Sequence, residues 1–224
     1  DLVVFKNKFS LTADYFQKSV DGLLFTPSAS LYLGTVPSPI ANIGSTKSSG
    51  FDFTLNYNEA IGKNFKFNTA LTFTTSTNEV TATNDDGTAK IFGGNYFNGQ
   101  SQSVTVFEKG FTPGYFYGYK TAGLFQNAAD VAASPKQAGA QPGDIKYVDV
   151  NGDGVINASD KTNIGDPFAK FTMGWSLNMS YKNFDFNAFV YASVGNDIYR
   201  AYERNANYSN KERSVLARWT GEGT

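Results

Sequence analysis

The sequence predicts an all-β fold, an antiparallel transmembrane β-barrel segment with long extracellular loops. Three features predict it: apolar residues recur with period two, several of these runs reach the length needed to cross a bilayer, and short connections alternate with long ones.

The alternation begins at Phe9, Leu11, Ala13 and Tyr15, which interleave with Ser10, Thr12 and Asp14. Phe51, Phe53, Leu55 and Tyr57 alternate with Asp52, Thr54, Asn56 and Asn58. Phe65, Phe67, Thr69, Leu71 and Phe73 share one face, against Lys66, Asn68, Ala70, Thr72 and Thr74. The run from Phe171 through Met173, Trp175, Leu177 and Met179 to Tyr181 alternates with Thr172, Gly174, Ser176, Asn178 and Ser180. After a turn at Asn183, Phe184, Phe186, Ala188, Val190 and Ala192 again share a face. A strand tilted in a bilayer needs about 9–11 residues, whereas strands of soluble domains cluster near about 5–6. Aromatics at both ends of a run, such as Phe171 and Tyr181, suit the two interfacial girdles of a membrane barrel.

Strands 1–5 and 9–18 are joined by Lys6-Asn7-Lys8, strands 168–182 and 184–194 by Lys182-Asn183, and strands 48–58 and 65–76 by Glu59–Asn64. The remaining connections are long: 21–47, 78–100 and 126–165. Short turns would face the periplasm and long loops the exterior. Further strands are expected at 103–109 and 115–126, making about eight wall strands. Residues 201–219 read as a short helix or an irregular loop.

Composition excludes much chemistry. The 224 residues contain no Cys and no His, so there is no thiol nucleophile, no Ser–His–Asp triad and no ordinary zinc site. The chain is expected not to be an enzyme. Its net charge of -1 gives no electrostatic reason to bind nucleic acid. No apolar stretch is long enough for a transmembrane helix, and Asp1–Phe5 reads as mid-chain sequence rather than as a signal peptide. A mean hydropathy of -0.33 is compatible with a barrel, because every second residue of a spanning strand faces a wet lumen.

One segment carries coordination chemistry. Residues 149–160 fit the twelve-residue calcium-loop template, with Asp149, Asn151 and Asp153 at positions 1, 3 and 5 and Gly154 at position 6. The Val155 carbonyl would face the ion, Asn157 would act through water, and Asp160 replaces the usual glutamate at position 12. Hard oxygen donors without imidazole or thiolate point to Ca2+, which would stiffen a long loop. The same residues also suit an Asx/Gly-rich turn that binds nothing. Asn84-Asp85-Asp86-Gly87 reads as a turn, and Gly93-Gly94 has no helix behind it that would make a phosphate loop. Tyr115, Phe116, Tyr117, Tyr119 and Phe125 form either a stacking surface for sugar or peptide, or part of an interfacial belt.

Ordered landmarks along most of the chain resemble the SusC/RagA family of TonB-dependent outer-membrane transporters of Bacteroidetes. They are KNKFSLTADYFQKSVDGLL at Lys6–Leu24, NIGSTKSSGFDFTL at Asn42–Leu55, GYFYGYKTAGLFQ at Gly114–Gln126 and PGDIKYVDVNGDGVINASDKTNIG at Pro142–Gly165. Phe171–Tyr199, ending in GNDIY, and Arg218-Trp219-Thr220 follow in order. The resemblance implies that 1–224 is a C-terminal portion of a 22-stranded receptor barrel, without the plug domain and final strands. It also implies a bacterial outer-membrane location, import of glycans or peptides, and TonB coupling through the absent plug segment. The partners it implies are the remaining strands and plug, a SusD-like surface lipoprotein and outer-membrane lipid. The competing reading is a soluble, secreted carbohydrate-binding β-sandwich with a structural calcium. A dockerin-type module would want a second calcium loop, which is absent.

Overall fold

Period-two alternation produces long, regular strands in the computed structural model, which describes residues 1–26, 40–83, 89–95, 103–200 and 212–223. The chain divides into two compact units, one comprising 1–91, 107–114 and 166–198, the other 92–106, 115–165 and 199–224.

The first unit is dominated by a six-stranded antiparallel sheet. Its strands are β1 (Leu2–Val4), β2 (Phe9–Phe25), β3 (Ala41–Ile61), β4 (Phe65–Ala82), β11 (Phe171–Tyr181) and β12 (Phe184–Val194), paired in that spatial order. All five runs of alternation identified in the sequence lie in it. β4 pairs with β11 in an unbroken register from Phe171↔Thr75 to Tyr181↔Phe65, so neighbours in the sheet are separated in sequence by residues 83–170. Among the described residues this unit has no second sheet to cover the first.

Strands β2, β3 and β4 run well beyond the expected 9–18, 48–58 and 65–76, so the connection expected at 21–47 is strand at both ends. The added lengths Ser19–Phe25, Ala41–Lys47 and Thr77–Ala82 pair by backbone hydrogen bonds without sustained apolar alternation. Hydrophobic patterning could not mark them. At 21 residues, β3 spans about 70 Å at roughly 3.4 Å per residue, far more than a tilted crossing of a hydrocarbon layer about 30 Å thick requires.

The second unit contains the excursion between β4 and β11. It holds most of a four-stranded sheet, in the order β10 (Lys161–Gly165), β7 (Tyr115–Tyr119), β6 (Ser103–Phe107), β5 (Ile91–Asn95). A two-stranded ribbon pairs β8 (Thr121–Leu124) with β9 (Ile145–Tyr147). Helix α1 (Ala128–Ala133) starts where Asn127 Oδ1 accepts from Asp130 N at 2.8 Å, an N-cap that satisfies an otherwise free amide.

Two expectations are corrected here. The strands expected at 103–109 and 115–126 are not wall strands, and the second breaks at Lys120 into β7 and β8, which belong to different sheets. The connection expected at 126–165 contains α1, β9 and β10 rather than featureless loop. The turn expected at 84–87 lies outside the described residues, as does most of 201–219. Arg213–Ala217 forms one 3₁₀ turn, while Gly93 and Gly94 lie in β5.

Candidate functional site

Register determines what each face of the six-stranded sheet presents. On one face, successive cross-strand rows read Phe184–Tyr181–Phe65–Ile61, Phe186–Met179–Phe67–Glu59, Ala188–Leu177–Thr69–Tyr57–Phe9 and Val190–Trp175–Leu71–Leu55–Leu11. The opposite face carries Asn187–Asn178–Asn68–Asn58 and Tyr191–Gly174–Thr72–Thr54–Thr12. On β3 the apolar face is the more open one: Phe51 and Phe53 are exposed while Asp52, Thr54 and Asn56 between and beside them are half-buried. Among the described residues the only buried apolar side chains are Val80, Val106, Tyr115 and Phe125. A sheet that leaves so many aromatics in the open, with almost no enclosed apolar side chain, departs from the pattern of a soluble domain.

The asparagines form a ladder. Asn178 Nδ2 donates to Asn68 Oδ1 at 3.2 Å, and Asn68 Nδ2 donates in turn to Asn58 Oδ1. With Lys66, Ser180, Asp185 and Asn187 they line a cavity of about 670 Å3 at the short-turn end. The one charge on the apolar rows near that end is neutralised: Lys8 Nζ contacts both Glu59 oxygens at 2.7 and 2.8 Å, and Tyr57 Oη donates to Glu59 Oε2 at 3.0 Å. Gly50 lies opposite Phe16, where a Cβ would stand 1.9 Å from Thr75 O and 2.7 Å from the Phe16 ring. Only glycine lets that aromatic cross the strand.

The calcium-like loop is closely hydrogen-bonded. Asp149 accepts from Gly152 N and Gly154 N, both at 2.7 Å, Asn151 Oδ1 from Asp153 N at 3.0 Å, and Asp153 Oδ1 from Val155 N at 2.8 Å. Gly152 and Gly154 have φ of 75° and 81°, values that disfavour any side chain. The Val155 carbonyl accepts from Asn157 Nδ2 at 3.2 Å. Asp160 is fully buried and accepts from Asn157 N at 2.8 Å and Val150 N at 2.9 Å. The Asn157 amide, with those of Val150 and Asn151, holds this carboxyl below its ordinary range, against the opposing effect of burial. All five sequence-predicted residues therefore share one loop, although Asp160 acts foremost as its hydrogen-bonded anchor. Among the described residues no three carboxylates converge as a metal cluster. Lys136 straps the loop: Lys136 N donates to Gly154 O at 2.8 Å and Ile156 N to Lys136 O at 2.9 Å.

The Tyr-rich segment is not one stacking surface. Tyr115 and Phe125 are buried, Tyr119 packs against Tyr147 and Phe116 against Tyr199. Lys146 reaches Asp130 at 2.9 Å and lies over the Phe125 ring at 5.8 Å. The Asp130 carboxyl is held below its ordinary range first by Lys146 and then by the Gln126 amide.

The family described as TonB dependent receptor-like, beta-barrel matches residues 2–191. The chain belongs to this TonB-dependent receptor family. TonB-dependent receptor P3 of Formosa agariphila is 31% identical over 229 residues, covering 100% of this chain and 22% of the relative. TonB-dependent receptor SusC of Bacteroides thetaiotaomicron is 28% identical over 205 residues, covering 90% of this chain and 19% of the relative. A structure of the RagAB peptide transporter superposes with a TM-score of 0.61 at 22% identity, covering 86% of this chain and 20% of that one. The chain thus spans about a fifth of the length of these relatives, and its six-stranded sheet is a stretch of receptor barrel.

For the receptor barrel, parity in the sequence was enough to find both faces. The asparagine ladder was missed. Each of Asn58, Asn68, Asn178 and Asn187 could be placed on the polar face, but their alignment appears only once β4 is known to pair with β11. The Lys136 strap, a single bridge to Val155, has no sequence signal.

Proposed function

We propose that this chain forms part of the wall and one loop module of an outer-membrane importer that takes up glycans or peptides. The observation that carries the reading is the two-faced sheet: cross-strand rows dominated by aromatic and aliphatic side chains on one face, many of them exposed, and rows of amides and hydroxyls on the other. Lipid would meet the first face and a water-filled lumen the second. Short turns at one end of β1–β2, β3–β4 and β11–β12, and long connections at the other, support a periplasmic position for those turns. The remaining strands would pair with the open edges of β1 and β12, since unpaired backbone is not viable in lipid. The plug would occupy the lumen and couple to TonB, and a SusD-like lipoprotein would meet the long connections. Transport moves solute without bond chemistry, so no catalytic role follows. The peptide cargo named for RagAB and the kinship with SusC support the substrate range without choosing within it.

The loop at 149–160 is proposed to bind Ca2+ through Asp149, Asn151, Asp153 and the Val155 carbonyl, with Asp160 closing the loop. Its support is an all-oxygen donor set on a glycine-rich turn.

Envelope fractionation of cells expressing the full-length protein tests the reading. Recovery in the detergent-resistant outer-membrane fraction as a heat-modifiable species is expected, and a soluble pool would refute it. Deletion strains grown on defined glycans or defined peptides then separate the two cargo classes.

A further inference from the structure

Two of the short turns are bonded to each other: Lys182 N donates to Asn64 O at 2.9 Å, so the β3–β4 and β11–β12 turns sit side by side. Each presents an exposed lysine, Lys63 and Lys182. Neither ammonium is among the ion pairs of the described residues, unlike Lys8, which is neutralised by Glu59. The row next to these turns on the apolar face is Phe184–Tyr181–Phe65–Ile61, continuous across four strands. Phe184 is 78% exposed and Ile61 63%. Lys182 Nζ lies 5.3 Å from the Tyr181 ring centroid, which brings its charge to the border of the apolar face.

Turn geometry does not explain the lysine at 182. Its φ is 54°, in the left-handed region that glycine or asparagine enters at less cost. A cation sits where the backbone disfavours it, beside an aromatic row of the kind that lies at a headgroup boundary. Ammonium groups on flexible stems reach from such a row toward phosphate.

We propose that Lys63 and Lys182 together bind the phosphate of an anionic glycerophospholipid, whose acyl chains lie against Phe184, Tyr181, Phe65 and Ile61. The site rests on the membrane-wall reading above and deepens it. Charge complementarity selects the headgroup, and the adjoining apolar row selects a lipid over free phosphate. Lipopolysaccharide phosphates would belong to the other leaflet, at the long-connection end.

The test uses the full-length protein purified in mild detergent and titrated with phosphatidylglycerol, phosphatidylethanolamine or lipopolysaccharide, with bound lipid read by native mass spectrometry. At about fivefold per lysine near a charged interface, K63Q/K182Q should hold phosphatidylglycerol some twenty- to thirtyfold more weakly. Retention of the other two lipids should be unchanged, K63R/K182R should bind as the parent does, and K47Q should be silent. Equal phosphatidylglycerol retention by parent and K63Q/K182Q, both heat-modifiable barrels, would overturn the lipid site alone. An equal loss in K47Q would also overturn it, by showing only net charge. A parent that forms no heat-modifiable barrel would overturn both this site and the membrane reading.

Discussion

In the six-stranded wall, Phe51, Phe184 and Phe186 stand in the open, and register alone organises them. In the excursion between β4 and β11, Tyr115 and Phe125 are enclosed, short strands are interrupted at Lys120, and much of the order comes from carboxylates accepting backbone amides. Both regions draw on similar aromatic-rich sequence. On the proposed function the difference is the solvent of each region: a wall in lipid needs a complete backbone ladder and no core of its own, whereas a module in water must enclose its aromatics and satisfy its loops internally.

The sharpest way to break this comparison is a charge on the open apolar face. Leu71→Arg should destabilise the full-length barrel by about 2–4 kcal/mol if the residue is near the bilayer midplane, while Thr72→Arg on the opposite face should cost far less. Urea titration of the heat-modifiable species measures both, and equal costs would refute the two-solvent account.

A smaller effect is expected within the module, confined to it. Gly143 has φ 94°, and a Cβ there would stand 2.6 Å from the Trp219 ring. Gly143→Val should therefore cost about 1–3 kcal/mol in backbone strain, with the clash added. Gly223 N donates to Gln126 Oε1 at 3.0 Å beside this contact, so limited proteolysis should show residues 212–223 released while the wall remains resistant.

Acid should loosen the module before the wall. Asp130 and Asp160 both have folded pKa values below the ordinary carboxylate range. Their stabilisation is thus complete above the unfolded value near about 4 and is lost as pH falls through the lower folded values. Protease cleavage within 126–165 should rise below about pH 4. The double variant Asp130→Asn/Asp160→Asn should already be cleaved at neutral pH, with a flatter acid dependence. Ca2+ bears on the same loop: if it binds, millimolar Ca2+ should slow cleavage in the parent and have no effect in Asp149→Asn/Asp153→Asn.

The smallest effect tests the ladder. Asn68→Ala removes its bonds to Asn58 and Asn178 on a wet face, and about 1 kcal/mol is expected. A much larger loss would mean that the polar face is drier than a lumen.

Alternation by itself determined that Phe9–Tyr15, Phe51–Tyr57, Phe65–Phe73, Phe171–Tyr181 and Phe184–Ala192 are strands with opposed faces, because side-chain direction in a strand follows residue parity. The spacing of Asp149, Asn151, Asp153 and Gly154 likewise identified a carboxylate-rich turn. Tertiary structure alone decided which strand lies beside which. Backbone hydrogen bonds carry no residue identity, so the pairing of β4 with β11 across residues 83–170, the diversion of 103–107 and 115–124 out of the wall, and the seating of Trp219 on Gly143 left no local trace. Each depends on surfaces that meet only after the chain has folded back on itself.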